Sequence, residues 1–175
     1  IQTTPITPGT APDTPQLSGV AVPPLARHND LTLNREANAR LIEHIESGGV
    51  STLLYGGNAN LYNVAVSEYA AILDFLAGVV RSDTLVIPSV GPDYGKMIDQ
   101  AAVLRDRDYP TAMVLPPAFG STPAGDATGI RRFVNACGKP VVLYIKADGY
   151  VDIDTVKQLV DDELVSVIKY ATVRP

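Results

Sequence analysis

The sequence is poor in the residues that build disulfide-linked and metal-bound frameworks. Its 175 residues include one cysteine, Cys137, two histidines, His28 and His44, and no tryptophan. A single cysteine excludes an internal disulfide, and the two histidines lie far from Cys137 and from each other along the chain. Because this spacing is not that of a metal site, the sequence predicts no bound metal.

Long apolar runs and an excess of positive charge are also missing. No run of about 20 apolar residues is present that would span a bilayer. Residues 1–15 lack a basic segment followed by an apolar one, so no signal peptide is predicted. The formal net charge of -5 disfavours nucleic-acid binding. With 46% apolar residues, we expect a globular cytoplasmic protein with neither membrane nor nucleic-acid partners.

Proline is concentrated at the start of the chain. Six of the 14 prolines lie within residues 1–24, where threonine and glycine accompany them over the earlier part. Such a composition favours an extended conformation. We therefore expect residues 1–16 to form an N-terminal arm and residues 17–175 to form the folded domain.

After the arm, short apolar β-branched runs alternate with segments whose apolar residues recur at helical spacing. Runs such as TLVI, AMVL and VVLY are apolar throughout, which indicates a parallel sheet covered by helices on both faces. Strands are predicted at residues 17–22, 51–55, 84–87, 111–115, 140–144 and 165–169. Helices are predicted over residues 34–47, ending at Gly48-Gly49, and from Ser67, Asp93, Ala124 and Asp152, with the serine and aspartates as caps.

Two architectures contain six consecutive βα units. One is an open doubly wound sheet, and the other is a (β/α)8 barrel, or TIM barrel, without its last two units. A dinucleotide-binding sheet should carry G-x-G-x-x-G after its first strand, but Pro23-Pro24 follow it here. The segment GPDYGK at residues 91–96 is one residue too short for a phosphate-binding loop and is followed by Met97 instead of serine or threonine.

In both architectures, functional side chains gather at the carboxyl ends of the strands. Lys169 ends the mainly apolar strand VSVIK, and desolvation there would free its amine to form an imine with a ketone. Tyr144 ends the preceding strand, where a phenol can act as general acid and base. Lys146 is expected on the same side as Tyr144, so either lysine could form the imine while the other binds a carboxylate. The structural alternatives are lysines paired or solvated at strand ends and a tyrosine packed through its ring.

Five segments agree in order and spacing with one known family. They are GVAVPPL at the start of the domain, LYGGN after the second strand, VLPP after the fourth, VVLY ending the fifth and VSVIKYA as the sixth. With these motifs, the sequence resembles the dihydrodipicolinate synthase and N-acetylneuraminate lyase family of class I, pyruvate-dependent aldolases, which are (β/α)8 barrels. The resemblance implies that about six of the eight βα units are present. It also implies a homo-oligomer, either a tetramer built from dimers or a dimer.

The resemblance implies roles for individual residues. In this family the lysine ending the sixth strand forms the Schiff base, which implies that role for Lys169. The tyrosine ending the fifth strand transfers protons, which implies that role for Tyr144. The turn after the second strand holds the carboxylate of the keto acid, which implies Gly56, Gly57 and Asn58 as substrate-binding residues.

Three segments depart from the family's motifs. The usual turn G-T-T-G-E is GGNAN here, so both threonine hydroxyls are absent and Gly57 cannot pass protons to Tyr144. The synthase motif N-V-P-x-R-T-G is also absent, and with it the arginine that reads a second carboxylate. Lys146 is expected to stabilise a distal anionic or hydroxyl group of the substrate instead. Ala118 and Phe119 stand where synthases have a tyrosine after the fourth strand.

The sequence therefore predicts a lyase that forms a Schiff base with pyruvate or a 2-keto-3-deoxy acid. An aldolase and a hydro-lyase share the imine, so both stay open, and the covalent lysine imine is the only cofactor expected. The GGNAN turn favours an alternative, a catalytically silent member that binds small molecules or regulates. A flavodoxin-like binding module is a third interpretation.

Overall fold

The computed structural model describes residues 19–117 and 120–172. The predicted N-terminal arm, residues 1–16, and the predicted Ala118 and Phe119 positions therefore lie outside the described residues. Within the described part, five helices and five strands alternate along the chain. The elements are α1 (Arg35–Ser47), β1 (Thr52–Tyr55), α2 (Val66–Val79), β2 (Leu85–Val90), α3 (Tyr94–Arg105), β3 (Ala112–Val114), α4 (Pro123–Cys137), β4 (Val141–Ile145), α5 (Ile153–Asp161) and β5 (Val165–Tyr170), with a short 3₁₀ helix at Leu61–Asn63.

The strands form one parallel sheet in the order β1-β2-β3-β4-β5. Each strand pairs with the one before it in the sequence, as in a barrel, whereas a doubly wound sheet reverses direction at a switch point. The described strands therefore form a half-barrel of βα units. This order excludes the doubly wound and flavodoxin-like interpretations for the described residues.

Of the first predicted strand, residues 17–22, the structure describes residues 19–22, which contain a bridge and no strand. Ala21 pairs in parallel with Leu53 of β1, donating its N–H to Thr52 O at 2.9 Å and accepting from Leu54 N at 2.8 Å. The described chain thus contains five strands, and an isolated bridge stands where the first of the six predicted strands was expected. The Pro23-Pro24 pair limits this strand, because proline has no N–H to continue the ladder.

Helix starts agree with the predictions in part. Asp152 caps α5 by accepting a hydrogen bond from Thr155 N at 2.7 Å, and Asn34, the predicted start of the first helix, is the N-cap of α1 and accepts from Ala37 N at 3.0 Å. Asp93 occupies the predicted N-cap position of α3, but its side chain accepts no capping hydrogen bond. The predicted cap Ser67 is wrong, because α2 begins at Val66 and Ser67 lies inside its first turn. Packing fixes the position of α2 instead, through four buried residues: Tyr69, Ile72, Leu73 and Leu76.

The core lies between the sheet and the helices. Strands β1, β3 and most of β2 and β4 are buried, as their continuous apolar runs predict. Two buried tyrosines tie parts of the core together. Tyr69 Oη of α2 donates to Ser89 O of β2 at 2.9 Å, and Tyr109 Oη, in the segment before β3, donates to Leu73 O of α2 at 2.6 Å.

Strand β5 is different, because its residues alternate between buried and exposed. Ile168 and Tyr170 are 44% and 55% exposed, whereas Val165, Val167 and Lys169, on the other face of the strand, are less exposed. The outer face of β5 is therefore not covered by other parts of the described chain. No described helix is long and apolar enough to cross a membrane.

A buried carboxylate ties the end of α1 to the segment before β2. Glu46 is 7% exposed and accepts hydrogen bonds from Arg81 N at 2.9 Å, Arg81 Nε at 3.2 Å and Thr84 Oγ1 at 2.6 Å. Burial raises the pKa of Glu46, but the hydrogen bonds from Thr84 and Arg81 and the charge of Arg81 together lower it more. The pKa of Glu46 therefore lies below its usual value.

We predict that Glu46→Gln lowers the free energy of unfolding at pH 7 by about 1–3 kcal/mol, because it weakens three buried hydrogen bonds. A carboxyl with a lowered folded pKa stabilises the fold above its unfolded pKa and loses this effect as the pH falls through the folded value. The difference between wild type and variant should therefore shrink as the pH falls below the ordinary value of 4.5. Urea unfolding across that range measures it, and Glu43→Gln, an exposed site on the same helix, is the matched control.

Candidate active site

A cavity of about 360 Å³ lies where the strands end at their carboxyl termini. The structure brings all six residues singled out from the sequence to its wall, namely Gly56, Gly57, Asn58, Tyr144, Lys146 and Lys169. Val22, Leu54, Tyr62 and Met113 complete the lining. Residues more than 100 positions apart in the sequence thus share one site, because parallel strands place their carboxyl ends at the same edge.

Lys169 and Tyr144 are direct neighbours on β5 and β4. Their Cα atoms are partners in the parallel ladder, and Lys169 Nζ lies 3.6 Å from the centroid of the Tyr144 ring. An amine over an aromatic face at this distance is a cation–π contact when it is protonated. Both side chains are half-buried, so the amine and the phenol are held together while remaining accessible from the cavity.

A register shift makes these two residues partners. Val141 pairs with Val165 but Val142 pairs with Val167, so Ser166 is an extra residue in β5. Ser166 Oγ lies 3.3 Å from Val141 O, to which it donates, and 3.4 Å from Thr111 Oγ1. The one polar residue inside the VSVIK strand therefore sits at the shift that sets which residue faces Tyr144.

The turn after β1 presents backbone donors to the cavity. It is closed by Asn60 N donating to Gly57 O at 2.9 Å and by Leu61 N donating to Gly56 O at 3.2 Å. Gly57 and Asn58 are exposed, and within the described chain their own N–H groups make no hydrogen bond. Two adjacent free N–H groups of this kind suit a carboxylate.

One of the two side-chain N–H groups of Asn58 is already used in a hydrogen bond within the protein. Its Nδ2 donates to Val22 O at 3.1 Å, which ties the turn to the segment that bridges to β1. A carboxamide nitrogen carries two N–H groups, so one donor remains for a ligand. Lys146 lies beyond the end of β4, where it is exposed and borders both this cavity and a second one of about 520 Å³.

Tyr62 is a lining residue that the sequence analysis missed. It belongs to the 3₁₀ helix Leu61–Asn63 and is half-buried at the cavity wall. Burial, and secondarily the charge of Tyr144, raise the pKa of Tyr62. The sequence signal was an aromatic residue four positions beyond Asn58, in the same segment after the strand.

Lys96, the lysine of the GPDYGK segment, is also placed by the structure. Its Nζ donates to Tyr62 O at 2.8 Å and to Leu61 O at 3.2 Å. Burial lowers the pKa of Lys96, with Asp93 opposing that effect. Because protein carbonyls occupy this amine, the segment does not form a phosphate-binding loop.

No family model matches the chain, and no curated protein matches it in sequence. Solved structures share its fold, however. Dihydrodipicolinate synthase from Bacillus clausii has a TM-score of 0.78 and 17% identity, over 89% of this chain and 53% of that one. Sialic acid aldolase from Ruminococcus gnavus has a TM-score of 0.78 and 15% identity, over 89% and 55%.

A third similar structure is YagE of E. coli K12, a prophage protein of the dihydrodipicolinic acid synthase family in complex with pyruvate. It has a TM-score of 0.76 and 21% identity, over 90% of this chain and 55% of that one. The family that the sequence resembles is thus the one whose structures share the fold, and the resemblance is confirmed at that level. The chain spans about half the length of the solved structures that it matches.

The turn offers a matched pair of glycine substitutions. A Cβ atom on Gly56 would lie 2.7 Å from Met113 Cε and 3.3 Å from Ser89 Oγ, whereas one on Gly57 would meet only Tyr62 Cε2, at 3.6 Å. We predict that Gly56→Ala lowers the free energy of unfolding by about 1–2 kcal/mol through overpacking. Gly57→Ala should change it by less than about 1 kcal/mol. Urea unfolding compares the two, and equal stability would show that Gly56 is not tightly packed.

Proposed function

We propose that the chain provides the first six units of a (β/α)8 barrel in a Schiff-base lyase that acts on pyruvate or a 2-keto-3-deoxy acid. The observation that carries the proposal is the pairing of Lys169 with Tyr144 at one cavity, an amine 3.6 Å from the centre of a phenol ring. The similar structures support it, because they include a synthase and an aldolase, and one holds pyruvate.

The first stage is imine formation. The neutral amine of Lys169 attacks the C2 carbonyl carbon, the C–N bond forms, and the carbonyl π pair moves onto oxygen. The oxygen gains a proton and the nitrogen loses one, which gives a carbinolamine. A further proton on the hydroxyl lets the C–O bond break and water leave, while the nitrogen lone pair forms the protonated imine.

Tyr144 is the proposed proton carrier for these steps. Its ring touches the attacking amine, so a substrate carbon bonded to that amine lies within reach of the phenol. A positioned acid or base of this kind contributes about 10²–10⁴-fold to a rate. The imine itself is the electron sink, so the proposed reaction uses no separate cofactor.

The second stage breaks or makes a bond at C3. In an aldolase, a base takes the proton of the C4 hydroxyl and the freed O–H pair forms the C4=O carbonyl. The C3–C4 electron pair then becomes the C2=C3 double bond while the imine π pair moves onto nitrogen. In a hydro-lyase, the C3–H bond breaks in the same way, and the C4–O bond then breaks to release hydroxide, which is protonated to water. Both reactions use the same amine and phenol, and analysis of the products distinguishes them.

The turn after β1 is the proposed anchor for the C1 carboxylate. The unbonded N–H groups of Gly57 and Asn58 and the remaining Asn58 amide N–H provide up to three donors. Charge-assisted hydrogen bonds to a carboxylate are stronger than neutral ones. Lys146, exposed at the mouth between the two cavities, is proposed to bind a distal anionic or hydroxyl group.

The second candidate function is a catalytically silent protein that binds small molecules. The observation that favours it is the turn itself, since Gly57 and Asn58 carry no hydroxyl that could pass a proton. Under this alternative, Lys169 and Tyr144 would form a cation–π pair with a structural role. A chemical trap for the imine separates the two candidates.

We predict that borohydride reduces a pyruvate imine onto Lys169 in the full-length protein, and that tandem mass spectrometry maps the added mass there. Lys169→Met should remove the label completely. Lys146→Met should keep the label at Lys169. Half-maximal labelling of this variant by keto acids longer than pyruvate should, however, need a higher concentration of the keto acid. Lys157→Met, an exposed lysine on α5, is the control that should change neither.

Other outcomes of this experiment have clear meanings. Label on Lys146 would move the nucleophile to the end of β4 and overturn the role of Lys169. A folded protein with no label from pyruvate or from other small 2-keto acids would contradict the lyase and favour the binding protein.

A further inference from the structure

The Tyr62 ring lies beside the turn that contains Gly57. A Cβ atom built on Gly57 would lie 3.6 Å from Tyr62 Cε2, an ordinary van der Waals contact. Cε2 is bonded to the ring carbon that carries the hydroxyl. The hydroxyl-bearing end of a second phenol is therefore next to the turn at the cavity wall.

The Tyr62 hydroxyl is not used to hold the fold. The hydroxyls of Tyr69 and Tyr109 are buried and donate to backbone carbonyls, as structural tyrosines do. Tyr62 makes no such bond among the described residues, and neither does Tyr144. Two phenols with unbonded hydroxyls thus line the same cavity as Lys169.

The backbone of Tyr62 is held firmly although its hydroxyl is free. Lys96 Nζ donates to the carbonyls of both Leu61 and Tyr62, and Leu61 is 1% exposed. Asn63 Nδ2 donates to Asn60 Oδ1 at 2.7 Å across the same short helix. A rigid backbone under a free hydroxyl is the arrangement that a positioned proton carrier needs.

Tyr62 also lies between two cavities. It lines the inner cavity with Lys169 and Tyr144, and it lines the second cavity of about 520 Å³ with Pro116, Pro117, Lys146, Ala147 and Tyr150. A hydroxyl between the two can exchange protons with water on the outer side.

We propose that Tyr62 returns protons to Tyr144 during imine chemistry, and that Lys96 is the positioning residue that holds Tyr62 in place. This proposal rests on the proposed lyase function. The raised pKa of Tyr62, caused first by burial and then by Tyr144, agrees with a phenol that is protonated at neutral pH.

The proton balance of the step is simple. Tyr144 gives its proton to the carbinolamine hydroxyl, which leaves as water, and Tyr144 becomes a phenolate. Tyr62 transfers its proton to that phenolate oxygen and then takes a proton from water in the outer cavity, releasing hydroxide to solvent. In the reverse direction Tyr144 accepts the C3 proton, and the transfers run backwards.

The test is Tyr62→Phe in the full-length protein, read by two assays on pyruvate. One assay follows exchange of the C3 methyl protons with D₂O by NMR, which needs proton transfer, and the other measures the final yield of borohydride-trapped imine. We expect the exchange rate to fall by about 10- to 100-fold, less than the largest effect of a direct acid or base. The trapped yield at saturating pyruvate should stay unchanged.

Two further variants separate a proton role from a structural one. Lys96→Met should lower the exchange rate without changing the trapped yield, and Lys96→Arg, which can still donate to two carbonyls, should restore part of it. Tyr94→Phe, which removes a hydroxyl from a 46%-exposed tyrosine on α3, should leave both assays at wild-type values.

The outcomes keep the two proposals apart. If wild type neither exchanges nor traps pyruvate, the lyase proposal fails. If wild type does both and Tyr62→Phe exchanges at the wild-type rate, only the role of Tyr62 is wrong. If Tyr62→Phe loses exchange and trapped yield together, Tyr62 supports the site's structure and does not carry protons.

Discussion

The arrangement of the site depends on the one-residue register shift between β4 and β5. Without the extra residue at Ser166, Tyr144 would lie opposite Ile168, whose side chain points outwards in the observed strand. A slip of one residue moves every side chain of a strand to the other face. The shift therefore decides that an amine, and not an aliphatic side chain, meets the phenol.

The local features of the fold were largely readable from the sequence. Apolar runs and helical spacing predicted every described strand and helix approximately, and Asn34 and Asp152 start their helices as expected. The cap at Ser67 and the side-chain hydrogen bond expected of Asp93 were wrong, because packing overrides the preference of a single residue. The exposed outer face of β5 was missed because the composition of a strand does not reveal whether a helix covers it.

The residues of the candidate site could be predicted from the sequence, but their relative positions could not. The family's motifs pointed to five residues and the spacing after Tyr144 pointed to Lys146, and all six line one cavity. No spacing shows that Lys169 and Tyr144 are partners, since this depends on the register shift. Tyr62 and Lys96 were missed for a related reason. Their roles arise from contacts between the segment after β1 and the first turn of α3, which only the folded chain brings together.

The hydrogen bond from Asn58 Nδ2 to Val22 O links the first described residues of the chain to the candidate site. Ala21 is fastened to β1 by two backbone hydrogen bonds, and its neighbour Val22 fixes the amide of the turn. Residues 21 and 22 thus support the turn after β1. A tag or deletion that disturbs these two positions would remove the hydrogen bond that holds the Asn58 amide, while leaving the opposite edge of the sheet, which carries Lys169, in place.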